Sequence, residues 1–217
     1  MKNTIGLLFA VLTWGFCSIA MAIEEPKYSI VETDDKFELR AYAPMIIAEV
    51  SVQGSLKSAS NQGFRLIADY IFGNNIASNG EKQKVAMTAP VTVQAQPKLL
   101  NVTQEVDAQE QPQEQPQEQE WKVHFVMPSE YSMSALPKPN NPKVELKEVS
   151  ERYYASLRFA GLTGEKKVAR KTKELQEWMA TKNLTAKGQP ELARYNPPWT
   201  LPFARRNEVL IEVEKGS

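Results

Sequence analysis

Among side chains able to bind metal or move protons, the chain offers one imidazole, His124, in the run Trp121-Lys-Val-His-Phe-Val-Met127. It is the candidate metal ligand, because no other residue supplies an imidazole nitrogen. Strand alternation sets His124 on one face with Lys122 and Val126, and Trp121, Val123 and Phe125 on the other. Sharing a face with Lys122 favours a solvated imidazole over a ligating one. Met87 and Met127 are the remaining soft ligand types, and methionine in an apolar strand more often fills core. The single cysteine, Cys17, lies in an N-terminal apolar run, so the chain beyond it carries no disulfide and no thiolate chemistry. Gly-x-Ser-x-Gly and phosphate-loop motifs are missing from the sequence. Glu38 and Glu145 stand beside arginine or leucine neighbours on strands and read as cross-strand partners, not as an acid pair. What remains is binding chemistry.

The elements that would position such a site repeat. Phe37-Glu-Leu-Arg40 aligns with Val144-Glu-Leu-Lys147 at an offset of 107 residues, and the same offset sets Ile46–Val50 over Tyr153–Leu157 and Gly54 over Gly161. Each copy runs strand, strand, glycine, helix. The helices are predicted over Ser55–Phe72 and Glu165–Lys182, with apolar stripes Leu56, Ala59, Gly63, Ile67, Tyr70 and Val168, Thr172, Leu175, Trp178, Met179. Further strands follow at Gln83–Gln94 with Trp121–Met127, and at Glu191–Asn196 with Glu208–Glu214. The predicted class is α+β: duplicated strand-strand-helix-strand units forming two antiparallel sheets, a distorted barrel with a pseudo-twofold and one helix per sheet. Neither half can bury its apolar face alone, so both belong to one domain. The first helix also has a second face of Lys57, Asn61, Phe64, Arg65 and Asp69. For Lys57 and Asn61 solvation suffices as an explanation, whereas Phe64 at the boundary can line a groove.

Three segments carry a resemblance. Lys84-Val-Ala-Met-Thr-Ala-Pro-Val91 puts a proline, which cannot donate to a ladder, in a strand-like run. Tyr195-Asn-Pro-Pro-Trp199 and Phe203-Ala-Arg-Arg-Asn-Glu-Val209 make a proline-pinned loop that enters the last strand. With Trp121–Tyr131 and Leu136-Pro-Lys-Pro139, in this order from about Tyr28 to Lys215, the chain resembles the SOUL haem-binding protein family. The resemblance implies a haem- or tetrapyrrole-binding module, not an enzyme. It places the ligand in an apolar cleft between the first helix and the loop 196–206. Carried onto this sequence, Lys57, Asn61, Phe64 and Arg65 would face Trp199, Leu201, Phe203 and Arg205 across that cleft, with Lys57, Arg65 and Arg205 at its mouth for the carboxylates. Arg206 is then structural. His124 is the candidate axial ligand of the haem, although the family also holds haem without a histidine. Where the family commonly carries a basic residue near the helix end, this chain has Asp69. Rival readings are a pocket for apolar cations, as in gyrase-inhibitor-type drug-binding domains, which requires a buried acid such as Glu38, Glu49 or Asp69, and an enzyme of that superfamily, which requires a carboxyl of strongly raised pKa.

Composition bounds the rest. The formal net charge is zero, but residues 104–120 hold six acids and no base, and the first 22 residues hold only Lys2. The remainder has 25 basic against 20 acidic side chains. That excess is too small for a nucleic-acid-binding field, and it suits a small anionic ligand. Lys2, the apolar run Ile5–Ile19 and Ala20-Met-Ala22 form a signal-peptide pattern, too short for a stable membrane span. The expected domains are a signal peptide at 1–22 and one binding domain at 23–217, in the periplasm or outside the cell, with no protein partner specified. Two glycosylation sequons begin at Asn101 and Asn183. At about 97–120 a Gln-Glu-Pro repeat, without aromatic or aliphatic residues in its core, cannot recover its ordering entropy by burial and is expected to be disordered. The exported protein should therefore begin at or near Ile23. Intact-mass analysis showing Met1–Ala22 retained after export would refute this.

Overall fold

The computed structural model describes residues 23–97 and 119–214. The expected signal peptide and nearly all of the glutamine-rich insert lie outside them. In chain order the elements are β1 (Tyr28–Asp34), β2 (Phe37–Tyr42), β3 (Met45–Gln53), α1 (Leu56–Ile71), β4 (Asn75–Ile76), β5 (Val91–Ala95) and β6 (Glu120–Val126). The second half adds β7 (Lys138–Pro139), β8 (Glu145–Val149), β9 (Arg152–Phe159), α2 (Glu165–Thr181), β10 (Glu191–Arg194) and β11 (Asn207–Val213). The class is α+β: two helices on a strongly curled antiparallel sheet of nine strands, a half-barrel, with β4 and β7 as a separate pair.

The predicted duplication is realised by strand exchange. Sheet order is β1-β2-β9-β11-β10-β5-β6-β3-β8, which reads the same from either end once β1 is set aside. The first strand of each repeat leaves its own half and pairs with the second strand of the other. Leu39 on β2 lies opposite Ala155 on β9, and Leu146 on β8 lies opposite Ala48 on β3. These are one pair with the halves exchanged, at the offset read from the sequence. The two expected sheets are fused edge to edge by β5 and β10, where Val93 pairs with Leu192.

Both helices cover the same face. Ser55 caps α1, its Oγ accepting the Ser58 N–H at 3.3 Å. The predicted stripe Leu56, Ala59, Gly63, Ile67 and Tyr70 is buried throughout. Gly63 is required by proximity: a Cβ there would stand 2.5 Å from the Cβ of Val123 on β6. In α2 only Leu175, Trp178 and Met179 are fully buried; Phe37 stacks on Trp178 at 5.2 Å, and the indole donates to Asp34 at 2.9 Å. The strand expected from Gln83 begins only at Val91. Before it, the buried Asn75 side chain bonds both backbone groups of Gln83, and Thr88 Oγ1 donates to Val126 O, so side chains replace a ladder that Pro90 cannot continue.

On the opposite face a fully buried carboxylate organises the end of the sheet. Glu208 accepts from Arg40 at 2.6 Å, from Tyr195 at 2.9 Å and from Arg206 at 3.0 Å. Burial alone would raise its pKa, but the bonds from Arg40, the charge of Arg206 and the Tyr195 hydroxyl together hold it below the usual range. Arg40 also binds Glu38 at 2.6 Å and lies over the Tyr28 ring at 4.5 Å. Arg206 stacks on Tyr195 at 3.7 Å and pairs with Glu25 at 2.9 Å. Arg206 is thus structural, as expected, and Glu38 is an ion-pair partner, as is Glu145, which binds Lys147 at 2.8 Å.

Two outcomes follow from this arrangement. Arg40→Met should cost about 3–5 kcal/mol by leaving Glu208 short of its main counter-charge, read as a fall in the urea midpoint. Because the folded pKa of Glu208 is depressed, its contribution is present above the unfolded carboxyl value of about 4.3 and should fade as pH falls below it; a stability of wild type that is flat down to pH 3 would contradict the assignment. In the insert, Gln119 bonds Gln96 O and its own carbonyl accepts from Gly54 N–H, so a deletion must spare it. Removing residues 104–118 should then leave the melting temperature within about 5 °C of the full chain, since a larger shift would mean on the order of 1–2 kcal/mol of burial in the insert.

Candidate functional site

On the helix-covered face, the flank of α1 that looks toward the central seam is fixed by one contact. Arg194 Nη2, on β10, donates to Ser60 Oγ at 2.6 Å, while that hydroxyl gives its own proton to Leu56 O. Phe64 lies one turn beyond Ser60, and Lys57 and Asn61 share the same flank by helical spacing. Phe64 leans on Phe125 with ring centroids 5.6 Å apart, yet remains 37% exposed. Beneath it, Phe125, Val91, Arg194 and Asn207 form one cross-strand row over β6, β5, β10 and β11. Arg65 is set about 140° round the helix from Ser60 and rides on the outer crest. Asp69 is also exposed and accepts from Asn74 at 2.5 Å.

The loop 196–206 springs from the ends of β10 and β11, two residues beyond Arg194. It is braced from inside. Asn196 Oδ1 accepts the Arg206 N–H at 2.6 Å, Thr200 N bonds Pro197 O at 3.1 Å, and a 3₁₀ turn spans Pro202–Ala204. Arg205, expected to face the ligand, donates instead to Thr200 O at 2.8 Å and to Pro198 O. It is the loop's brace, because those carbonyls have no ladder partner. The braced loop holds Trp199, Leu201 and Phe203 at 82%, 60% and 77% exposure. Water-exposed apolar side chains concentrated on an ordered loop mark a binding surface rather than a core.

His124 lies on the other face. It pairs across the sheet with Glu49 and Thr92 and lines a cavity of about 260 Å³ with Tyr42, Met45, Tyr154 and Glu191. His124 is half-buried on the face it shares with Lys122, and desolvation pushes its pKa down to about 4, against the opposing charge of Glu49. A ligand lying against α1 takes no axial bond from His124, since the sheet stands between them. Met127 is core, 4% exposed, and Met87 is partly exposed. Among the described residues no three His, Cys, Asp or Glu side chains gather as metal ligands. In the same cavity Glu191 accepts from Gln94 at 3.2 Å and Tyr154 at 3.3 Å, and desolvation raises it to about 7. A larger hollow of about 570 Å³, between residues 24–27, 43–46 and 126–131, holds none of the predicted ligand residues.

Sequence reasoning missed Glu191 and Arg194. Both sit on a four-residue strand whose charged ends look solvent-facing; the only signal was that this strand pairs on both sides, which the sequence does not reveal. Among the described residues no helix is long and apolar enough to cross a membrane.

Comparison with solved structures shows the fold. The C-terminal domain of EcmrR superposes with a TM-score of 0.56 at 11% identity, covering 87% of this chain and 99% of that one. A hydrolase from Listeria innocua gives 0.53 at 12% identity, covering 85% and 94%, and an uncharacterized conserved protein from the same organism gives 0.54 at 12%, covering 82% and 92%. No curated protein matches the chain. The family model of the SOUL haem-binding proteins matches residues 23–212, nearly all of the described chain, and the protein belongs to that family.

Proposed function

We propose that this protein is a non-enzymatic carrier, buffer or scavenger of haem or a related tetrapyrrole, exported by its N-terminal signal, and that it binds the ligand reversibly between α1 and the loop 196–206. The observation that carries this reading is the braced loop with Trp199, Leu201 and Phe203 held in water, which leaves β10 two residues beyond Arg194, the residue bonded to Ser60 on α1. A porphyrin is a flat apolar disc with two carboxylates on one edge. Aromatic and aliphatic side chains would cover the disc, and Lys57 and Arg194 are the cations assigned to its carboxylates in this reading. When bound, the haem would supply its own iron chemistry; the residues of this groove supply burial and charge, with no imidazole among them.

A second reading uses the cavity on the helix-free face. Glu49 and Glu191, with side chains largely removed from water, line it beside Tyr42, Tyr154 and Met45, a setting suited to an apolar organic cation. The raised carboxyl of Glu191 is also what a hydrolytic reading would require, but the Tyr154 hydroxyl beside it is spent as its hydrogen-bond donor.

Haemin added to the purified protein without its leader should shift and sharpen the Soret band. Burying an aromatic ring against a porphyrin is worth on the order of 1–3 kcal/mol, so Trp199→Ala should weaken binding about tenfold to a hundredfold with little change in melting temperature. His124→Ala should leave haemin affinity within about threefold. Loss of the Soret shift in His124→Ala, with the fold intact by circular dichroism, would move the ligand to the opposite face. For the second reading, a lipophilic phosphonium cation should bind more tightly as pH rises through about 7, because the cation needs Glu191 ionised. Glu191→Gln should abolish that pH dependence and spare haemin; a cation affinity indifferent to both would sink it.

A further inference from the structure

We propose that Arg194 is the carboxylate-recognition point of the groove: an unpaired guanidinium at its floor that clips an acidic edge of the ligand while Phe64 and the loop cover its apolar body. This rests on the tetrapyrrole reading above and names the ligand chemistry that the site selects.

Of the other arginines that are at least partly buried, three are paired with acids and Arg205 with carbonyls. Arg40 is paired with Glu38 and Glu208, Arg206 with Glu25 and Glu208, and Arg152 with Glu212. Arg194, by contrast, has a neutral partner, Ser60 Oγ, and no carboxylate among the described residues. Its Nε is the one buried side-chain nitrogen or oxygen there without a hydrogen-bond partner. Burial pushes its pKa down, and no ion pair with an acid among the described residues opposes the effect. A guanidinium does not shed its proton at any ordinary pH, so the charge stays and its desolvation is uncompensated in the free protein. Burying a charge without a partner is costly, and a sequence selected for stability alone would place leucine or methionine at this position.

The geometry fits a ligand's acid. The Ser60 hydroxyl, locked by its bond to Leu56 O, can only accept from Arg194, so it holds the guanidinium through Nη2 and leaves Nη1 without an acceptor among the described residues. Nε is closed off from water, but the residue is partly exposed as a whole, so Nη1 is the end that a ligand's acid would meet. Arg194 stands two strands from Phe125, roughly 10 Å away at the usual spacing, and Phe64 lies over Phe125. A flat apolar body on Phe64 with a carboxylate about 10 Å along its edge matches a porphyrin and its propionate.

The test compares metal-free protoporphyrin IX with its dimethyl ester, which removes both charges and leaves iron out of the comparison. Wild type should bind the diacid about tenfold to a hundredfold more tightly than the ester. Arg194→Met should lose that preference while binding the ester as wild type does. In the absence of ligand, Arg194→Met should melt at the same temperature or up to about 4 °C higher, because it removes an unpaired buried charge. Retention of the diacid preference in Arg194→Met, or a melting temperature lowered by more than about 4 °C, would overturn the assignment while leaving the tetrapyrrole reading intact. Failure of wild type to bind either porphyrin would overturn that reading, and the carboxylate assignment with it.

Discussion

The fold of the ligand-facing end depends on one buried anion. Glu208 is inaccessible to water, and such a carboxylate is tolerable only because three donors converge on it. Those donors come from separate parts of the chain. Arg40 arrives on β2, the strand exchanged from the first repeat; Tyr195 and Arg206 stand at the two ends of the loop 196–206. One side chain therefore ties the strand exchange to the base of the binding loop. Replaced by apolar residues together, such a cluster could leave stability unchanged; broken at one member, it leaves a charge stranded. What the cluster contributes is position: the loop leaves the sheet at one angle, and its own carbonyls are then gathered by Arg205.

The two faces of the sheet divide the chemistry. Alternation along β10 sends Leu192 and Arg194 toward the helices and Glu191 toward the helix-free cavity. The seam where the repeats meet thus carries an unpaired cation on one side and a raised carboxyl on the other, both at the pseudo-twofold. The same alternation separates Phe125, under Phe64, from His124. Glu191 and His124 also oppose each other in titration. The first binds a proton more readily folded than unfolded between about pH 4.5 and 7, and the second less readily between about 4 and 6.5. Their contributions to the pH dependence of folding run in opposite directions, Glu191 favouring the folded state as pH falls and His124 as it rises.

The periodic part of this structure was legible in the sequence. The offset of 107 reappears in the sheet register, with Leu39 on Ala155 and Leu146 on Ala48, because strands that repeat must bury equivalent faces. The inner stripe of α1 was legible for the same reason. The fusion of two sheets at β5 and β10 was not, since pairing between halves leaves no local pattern. The face of His124 was legible from strand alternation, but its neighbours were not: Glu49, supplied by the adjacent strand, lies opposite it and is approached by Lys122 at 3.8 Å. Gln83–Pro90 reads as strand by composition, whereas Asn75 and Thr88 supply its bonds from side chains. Arg205 and Arg206 are adjacent in sequence, and only the positions of Thr200 O and Glu208 decide what each one holds.

The groove's composition bears on how tightly it should hold a haem. In the proposed site, with the imidazole on the far face, affinity would have to come from covered apolar area and the proposed charge-assisted contact of Arg194. The apolar share is insensitive to salt, while the Arg194 share is partly buried and therefore only weakly screened. Trp199 and Phe203 stand almost fully in water, so the site is open and release needs no unfolding of the sheet. Such openness would suit the reversible exchange proposed for this site.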